Sequence, residues 1–354
     1  MGIIIAIIIF GLIVTVHEFG HFICAKLSNV RVLEFSVGMG PKLIQKKKGE
    51  TMYSLRLLPV GGYCAMEGED SDSDDPHSFR SAKLWKRMVI LVAGAGMNFV
   101  LGFVTIVVMM SMLGSVPTTQ ISGFNAIELE DGTLERRAES YDTCLRHNDS
   151  YYEIDGTHIF SMLDLNALLL SAPTNVHDVT VIRNGKKIKI ENVNFGDASG
   201  NAIDFGLVHK DKTPFSVVKG SGEMFMSMGH IVGMSLKQLV SGQAKKEDVS
   251  GPVGVVTAIS ETTQESENTE ETVFNLIYMT ALITINIGIM NLLPIPGLDG
   301  GRLIFCFIEL IRRKPVKPEH EGYVHLAGML LLFGIMIFAT YNDIVRLITG
   351  GGQL

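Results

Sequence analysis

The sequence predicts a polytopic α-helical membrane protein: four transmembrane helices, a β-hairpin and a soluble α+β island. Three observations predict it. The 354 residues are 47% hydrophobic with a mean hydropathy of +0.29, apolar for a soluble chain of this length. Four apolar runs, 3–25, 88–113, 273–293 and 323–341, have about the 20 residues that a bilayer-crossing helix needs. Basic residues gather in two loops, from Lys26 to Arg87 and from Arg302 to Lys317, and only Arg346 follows Tyr341. By the positive-inside rule those two loops face the cytoplasm, with both termini and the segment between the second and third spans outside. The net charge of -7 argues against nucleic acid as a partner.

The first run has no basic residue before it and no small-residue cleavage pattern after it, so it reads as a retained anchor over 1–29. Residues 30–87 follow on the inner side. Lys42–Leu58 reads as two strands about Gly49-Glu50, ended by Pro59, Gly61 and Gly62. "EGEDSDSDDP" (67–76) is expected to be a flexible, solvated linker. "SFRSAKLWKRM" (Ser78–Met88) is expected to be an amphipathic segment lying along the inner surface. The second span covers 88–113.

The island has hairpin signals at Asp155-Gly156 and Asn184-Gly185, and helical spacing over Ser161–Ala172. It occupies 114–213. The methionine-rich stretch after it belongs to outer amphipathic helices over 214–271. The third span takes 272–301, and 302–354 supply an inner turn and the fourth span. The four cysteines show no zinc-ribbon or redox spacing.

The polar cluster inside the first run carries the chemistry. His17 and His21 are four residues apart, so a helix puts both imidazoles on one face, within reach of one metal ion, with Glu18 beside them. Zinc hydrolases use such a pair as neutral ligands and such a glutamate as the base that deprotonates water. Ionisable groups in a span cost roughly 2.5–3.5 kcal/mol each, so three together need a compensating partner. Two histidines leave a catalytic zinc one ligand short. Asp299 in "NLLPIPGLDGG" is the only acidic residue between Glu271 and Glu309, among prolines and glycines that break the helix. Such backbone is tolerated at membrane depth only where it is buried in protein or lines a cavity. The charge rule brings all three residues to the cytoplasmic side.

With these residues the chain resembles the site-2 protease family of intramembrane metalloproteases, in its bacterial regulator-of-sigma-factor group with one outer PDZ domain. "HEFGH" and "NLLPIPGLDG" carry the resemblance, with "FSVGMGPKL", "YSLRLLPVGGY", "AGAGMNF" and "SGPVGVV". It implies that His17, His21 and Asp299 bind Zn2+, that Glu18 is general base and acid, and that Asn286 and Asn291 hold an unwound substrate segment. An alternative for the two asparagines is helix–helix packing through their amides. The resemblance makes the hairpin a membrane-associated β-loop whose open edge could take an extended substrate. The island becomes a PDZ domain that filters substrates by bulk. Thr143-Cys144-Leu145 and His147-Asn148-Asp149 depart from the Ala-Gly-Leu and Pro-Gly-Asp usual there, and Ala95 stands where proline is usual.

The implied reaction is hydrolysis of a peptide bond in or near a transmembrane helix. The implied substrates are trimmed anti-sigma factors or signal-peptide remnants, single-span proteins of the bacterial cytoplasmic membrane. A metal-ion transporter and a PDZ scaffold remain alternatives, and Glu18, dispensable to both, discriminates.

Overall fold

In a computed structural model, residues 2–349 are described, apart from 70, 72, 129–133, 137, 172–173, 197–202, 243–250 and 266–267. In chain order, α1 (Gly2–Leu27) leads through β1 (Val32–Lys48) and β2 (Thr51–Met66) into α2 (Leu84–Met112). Then come β3 (Ser115–Phe124), β4 (Ala126–Glu128), β5 (Leu134–Arg136), α3 (Glu139–Asp142), β6 (Ser150–Ile154), β7 (Thr157–His158) and α4 (Met162–Ser171). Strands β8 (Val176–Arg183), β9 (Lys186–Asn194) and β10 (Phe205–Asp211) precede α5 (Pro214–Val240), α6 (Pro252–Glu265), α7 (Thr269–Leu292), α8 (Asp299–Arg312) and α9 (Pro318–Thr349). Four of these helices, α1, α2, α7 and α9, are long and apolar enough to cross a membrane. The chain forms two compact units, residues 1–105 with 237–354, and residues 106–236.

In the first unit, small residues set how closely helices approach. A Cβ on Gly20 would lie 2.2 Å from the Ala93 carbonyl oxygen, so α1 meets α2 backbone to backbone. Farther along α1, Ala6, Ile9 and Ile13 bury Ile259 of α6. The start of α6 is tied to α9: Gly251 and Gly254 donate backbone N–H bonds of 3.2 and 2.7 Å to the buried Asp343 carboxylate. That carboxylate satisfies donors a helix start leaves open.

The hairpin is longer than expected, and its strands bend. Gly38 and Gly40 have positive φ, which separates Val32–Val37 from Lys42–Lys48. Val32–Val37 pairs on one side with Gly62–Met66 and on the other with Met52–Leu55. Met52–Leu55 also pairs with Ile44–Lys47. A knot of side chains ties the middle: Ser54 and Arg56 donate to Glu34 at 2.6 and 2.9 Å. Burial pushes the Glu34 carboxyl up, but these bonds outweigh it and hold it below the usual carboxylate range.

Three expectations are corrected here. Ser78–Met88 is no separate amphipathic segment: Ser78–Lys83 is turn, and Leu84 begins α2. The inner turn after residue 302 carries α8, which Asp299 opens in its first turn and whose Cys306 is buried. The acidic linker is anchored: Asp75 pairs with Arg31, Glu69 with Arg302, and the Glu67 N–H donates to the Arg31 carbonyl at 2.9 Å. Guanidinium groups converging there outweigh solvation of the acids. Asp70 and Asp72 lie outside the described residues.

The second unit folds about a six-stranded sheet in the order β10-β3-β6-β8-β9, with β7 paired to β6. Asp155-Gly156 and Asn184-Gly185 make the two expected turns, all four residues at positive φ. Ile121, Leu145, Ile154, Leu165, Val179 and Phe195 lead its core. Asp164 caps α4 through the Phe160 and Ser161 N–H groups and accepts from Ser227 and His230 of α5. Cys144 holds φ +87, a conformation glycine adopts at no steric cost.

Candidate metal centre

His17 and His21 lie one turn apart on α1, and both are buried. Their Nε2 atoms are 3.2 Å apart. Asp299 Oδ2 lies 3.1 Å from His17 Nε2 and 3.2 Å from His21 Nε2. Oδ2 is buried and has no aligned donor. Three acceptor-capable atoms at the corners of a nearly equilateral triangle repel one another unless protons or a cation lie between them. A tetrahedral zinc with bonds of about 2.0–2.2 Å needs ligand atoms roughly 3.3 Å apart, so this donor set fits it.

The "LPIPGLDGG" loop carries Asp299 to that corner by doubling back on itself. A Cβ on Gly300 would sit 2.1 Å from the Leu293 carbonyl oxygen, and one on Gly301 would sit 2.4 Å from that of Ile295. The loop also rests on α9. The Gly297 N–H donates to His325 Nδ1 at 3.0 Å, and a Cβ on Gly328 would sit 2.0 Å from the Pro296 oxygen.

Helix α2 supplies the floor through residues four apart, a face the sequence reading did not assign. The Ile90 carbonyl accepts from His21 Nδ1 at 2.8 Å. That bond puts the ring proton on Nδ1 and turns the Nε2 lone pair toward Asp299. A Cβ on Gly94 would lie 2.3 Å from His21 Nε2 and 2.7 Å from His17 Cε1, so only glycine leaves the ligand nitrogens room. Asn98 stands beside His17. The signal was present in "AGAGMNF": a glycine and a polar amide at helical spacing in an apolar span.

Glu18 is half-buried next to the imidazoles and accepts a backbone N–H bond from Cys64. The Gly62 backbone lies close by, since a Cβ there would be 3.7 Å from Glu18 Cγ. The strand running past Glu18 is therefore the Gly62–Met66 stretch, beyond the Lys42–Leu58 hairpin expected to offer an edge. Among the described residues, Gly62–Met66 pairs within this sheet on one side only.

Asn286 is exposed on α7, which does not suit helix–helix packing, and Asn291 is half-buried in the last turn of that helix.

Residues 5–335 match the family model of peptidase family M50. A Clostridium perfringens protein assigned as a zinc metalloprotease is 32% identical, over 98% of this chain and 99% of that protein. Bacillus subtilis regulator of sigma-W protease is 29% identical, over 96% of this chain and 97% of its own length. A Bacillus licheniformis zinc metalloprotease is also 29% identical, over 96% of this chain and 98% of its own. A match along nearly the whole sequence, on a chain with four membrane-length helices, shows that this protein belongs to peptidase family M50 and is a zinc-dependent metalloendopeptidase of the membrane.

Proposed function

We propose that the chain is an intramembrane endopeptidase, cleaving peptide bonds within the transmembrane segments of single-span proteins. The observation that carries this reading is the triangle of His17, His21 and Asp299, two corners of which belong to a membrane-length helix. These three residues would hold the zinc. Bound zinc would polarise a substrate carbonyl and lower the pKa of water to about 7.

The chain's own residues do the rest. Glu18, oriented by the Cys64 N–H, takes a proton from water and returns it to the leaving amine. Gly62–Met66 offers its outer edge to an extended substrate, which helps because a helical substrate hides its peptide bonds until it unwinds. The exposed amide of Asn286, on a membrane-length helix, suits a hydrogen bond to such unwound backbone, with Asn291 nearer the loop.

The basic loops put the metal centre on the cytoplasmic side of a bacterial membrane, with both termini and the 114–213 island outside. That island acts as a PDZ domain that screens substrates by bulk. The sigma-W relative supports trimmed anti-sigma factors as substrates, beside signal-peptide remnants.

Co-expression with a tagged single-span substrate tests the proposal. Glu18→Gln abolishes cleavage while zinc per chain stays at the wild-type level. Equal cleavage by the variant and the wild type overturns it. A transporter or a scaffold would survive the substitution.

A further inference from the structure

The two imidazoles hold their rings in unlike ways. His21 donates to a backbone carbonyl, which no substitution removes. His17 Nδ1 has a side chain instead: the Asn98 Nδ2 atom lies 3.3 Å away, and Asn98 is fully buried. In that orientation the amide donates to Nδ1. The ring proton then sits on Nε2, the atom facing His21 and Asp299, and the lone pair points away from them. The same amide leaves its Oδ1 buried with no donor in reach. A half-turn of the terminal amide, which exchanges atoms of nearly equal size, meets both needs. Oδ1 then accepts from Nδ1–H, and the Nε2 lone pair turns into the triangle.

We propose that Asn98 is a positioning residue that selects the His17 tautomer: its Oδ1 accepts the Nδ1 proton and so commits Nε2 to the metal. The rest of α2 is arranged for this. Ile90, Gly94 and Asn98 are spaced by four, as are His17 and His21, so one face of α2 meets one face of α1. Ile90 serves His21, Asn98 serves His17, and Gly94 clears space between them. Asn98 is itself held from α7, where the buried Thr284 hydroxyl donates to its backbone carbonyl at 3.3 Å. Each ring is thus fixed through the nitrogen that faces away from the triangle.

The proposal rests on His17 being a metal ligand, and the experiment separates the two. Zinc affinity of the full chain in detergent is measured by chelator competition for wild type, His17→Ala, Asn98→Leu, Asn98→Ala and Asn98→Asp. The melting temperature of each metal-free protein is measured alongside. Partners of metal-bound histidines are worth about 10–100-fold in affinity. Asn98→Leu is expected to lose that much, and Asn98→Asp, which keeps an acceptor, to stay within a few-fold of wild type. Asn98→Ala makes the same test with a smaller side chain should leucine not be accommodated. Wild-type affinity in the variants lacking an acceptor overturns the proposal, as does an equal loss in Asn98→Asp. Unchanged affinity in His17→Ala overturns the metal reading beneath it.

Discussion

In residues 106–236 the buried carboxylates Asp149, Asp164 and Asp204 all accept backbone N–H groups. Asp149 also takes a two-pronged bond from Arg183, with both oxygens at 2.7 Å. In the other unit the Nε2 atoms of the buried His17 and His21 and the Oδ2 atom of Asp299 face one another, and none of these three atoms meets backbone. The outer surfaces reverse as well. Ile3, Ile4, Ile8 and much of α9 are exposed in the membrane unit, while the island sequesters such residues under its sheet. Water is the island's solvent, so its buried charges close structural ends. Lipid solvates the apolar surface of the other unit, so a polar group there is retained where it has a partner to satisfy, as Asp343 has, or chemistry to perform. Buried charge therefore reads as stability throughout the island, whereas in the other unit it divides between a structural carboxylate, Asp343 at the start of α6, and the reactive triangle.

That contrast can be broken or sharpened by substitution. The largest effect is expected at Asp299: Asp299→Ala removes a corner of the triangle, and zinc affinity falls by more than the ~100-fold that a mere partner of a ligand contributes. Metal analysis after dialysis checks it, and the metal-free protein should unfold at nearly the wild-type temperature. Gly94→Ala comes next. Its methyl would sit 2.3 Å from His21 Nε2, so zinc binding is expected to drop by about 10–100-fold without any ligand being changed. In the island the opposite pattern is expected. Arg183→Leu leaves Asp149 buried without its charge partner, at a cost of about 3–5 kcal/mol. Hydrogen exchange of β6 and β8 amides in the full chain reads that loss, and zinc content should not move. A zinc loss equal to that of Gly94→Ala would erase the distinction between the regions. The smallest effect is at Cys144, where a glycine relieves a positive φ and should stabilise the island by about 1 kcal/mol, read as a higher melting temperature.

Much was fixed by local rules alone. Apolar length gives the four membrane-length helices, and Asn184-Gly185 and Asp155-Gly156 give their turns, because both signals live within one element. Spacing by four puts His17 and His21 on one face for the same reason. The missed elements have a common cause. Leu84–Met88 joins α2, and Asp299–Arg312 becomes α8, because packing and hydrogen bonding at those ends override the reading of a polar surface segment and a turn.

What only the tertiary structure decided is distance between residues remote in the chain. Nothing near Asp299 in sequence states that its carboxylate stops 3.1 Å from an imidazole on α1. That depends on Gly300 and Gly301 letting the loop fold onto its own carbonyls, and on Gly328 letting it settle against α9. The parts played by the Ile90 carbonyl and the Cys64 N–H were equally out of reach, and for Gly94 and Asn98 the sequence held the signal but not the partner. A residue's type and spacing reveal which atoms it can offer and which way its own helix or strand points them. The partner it offers them to is set by packing between distant elements.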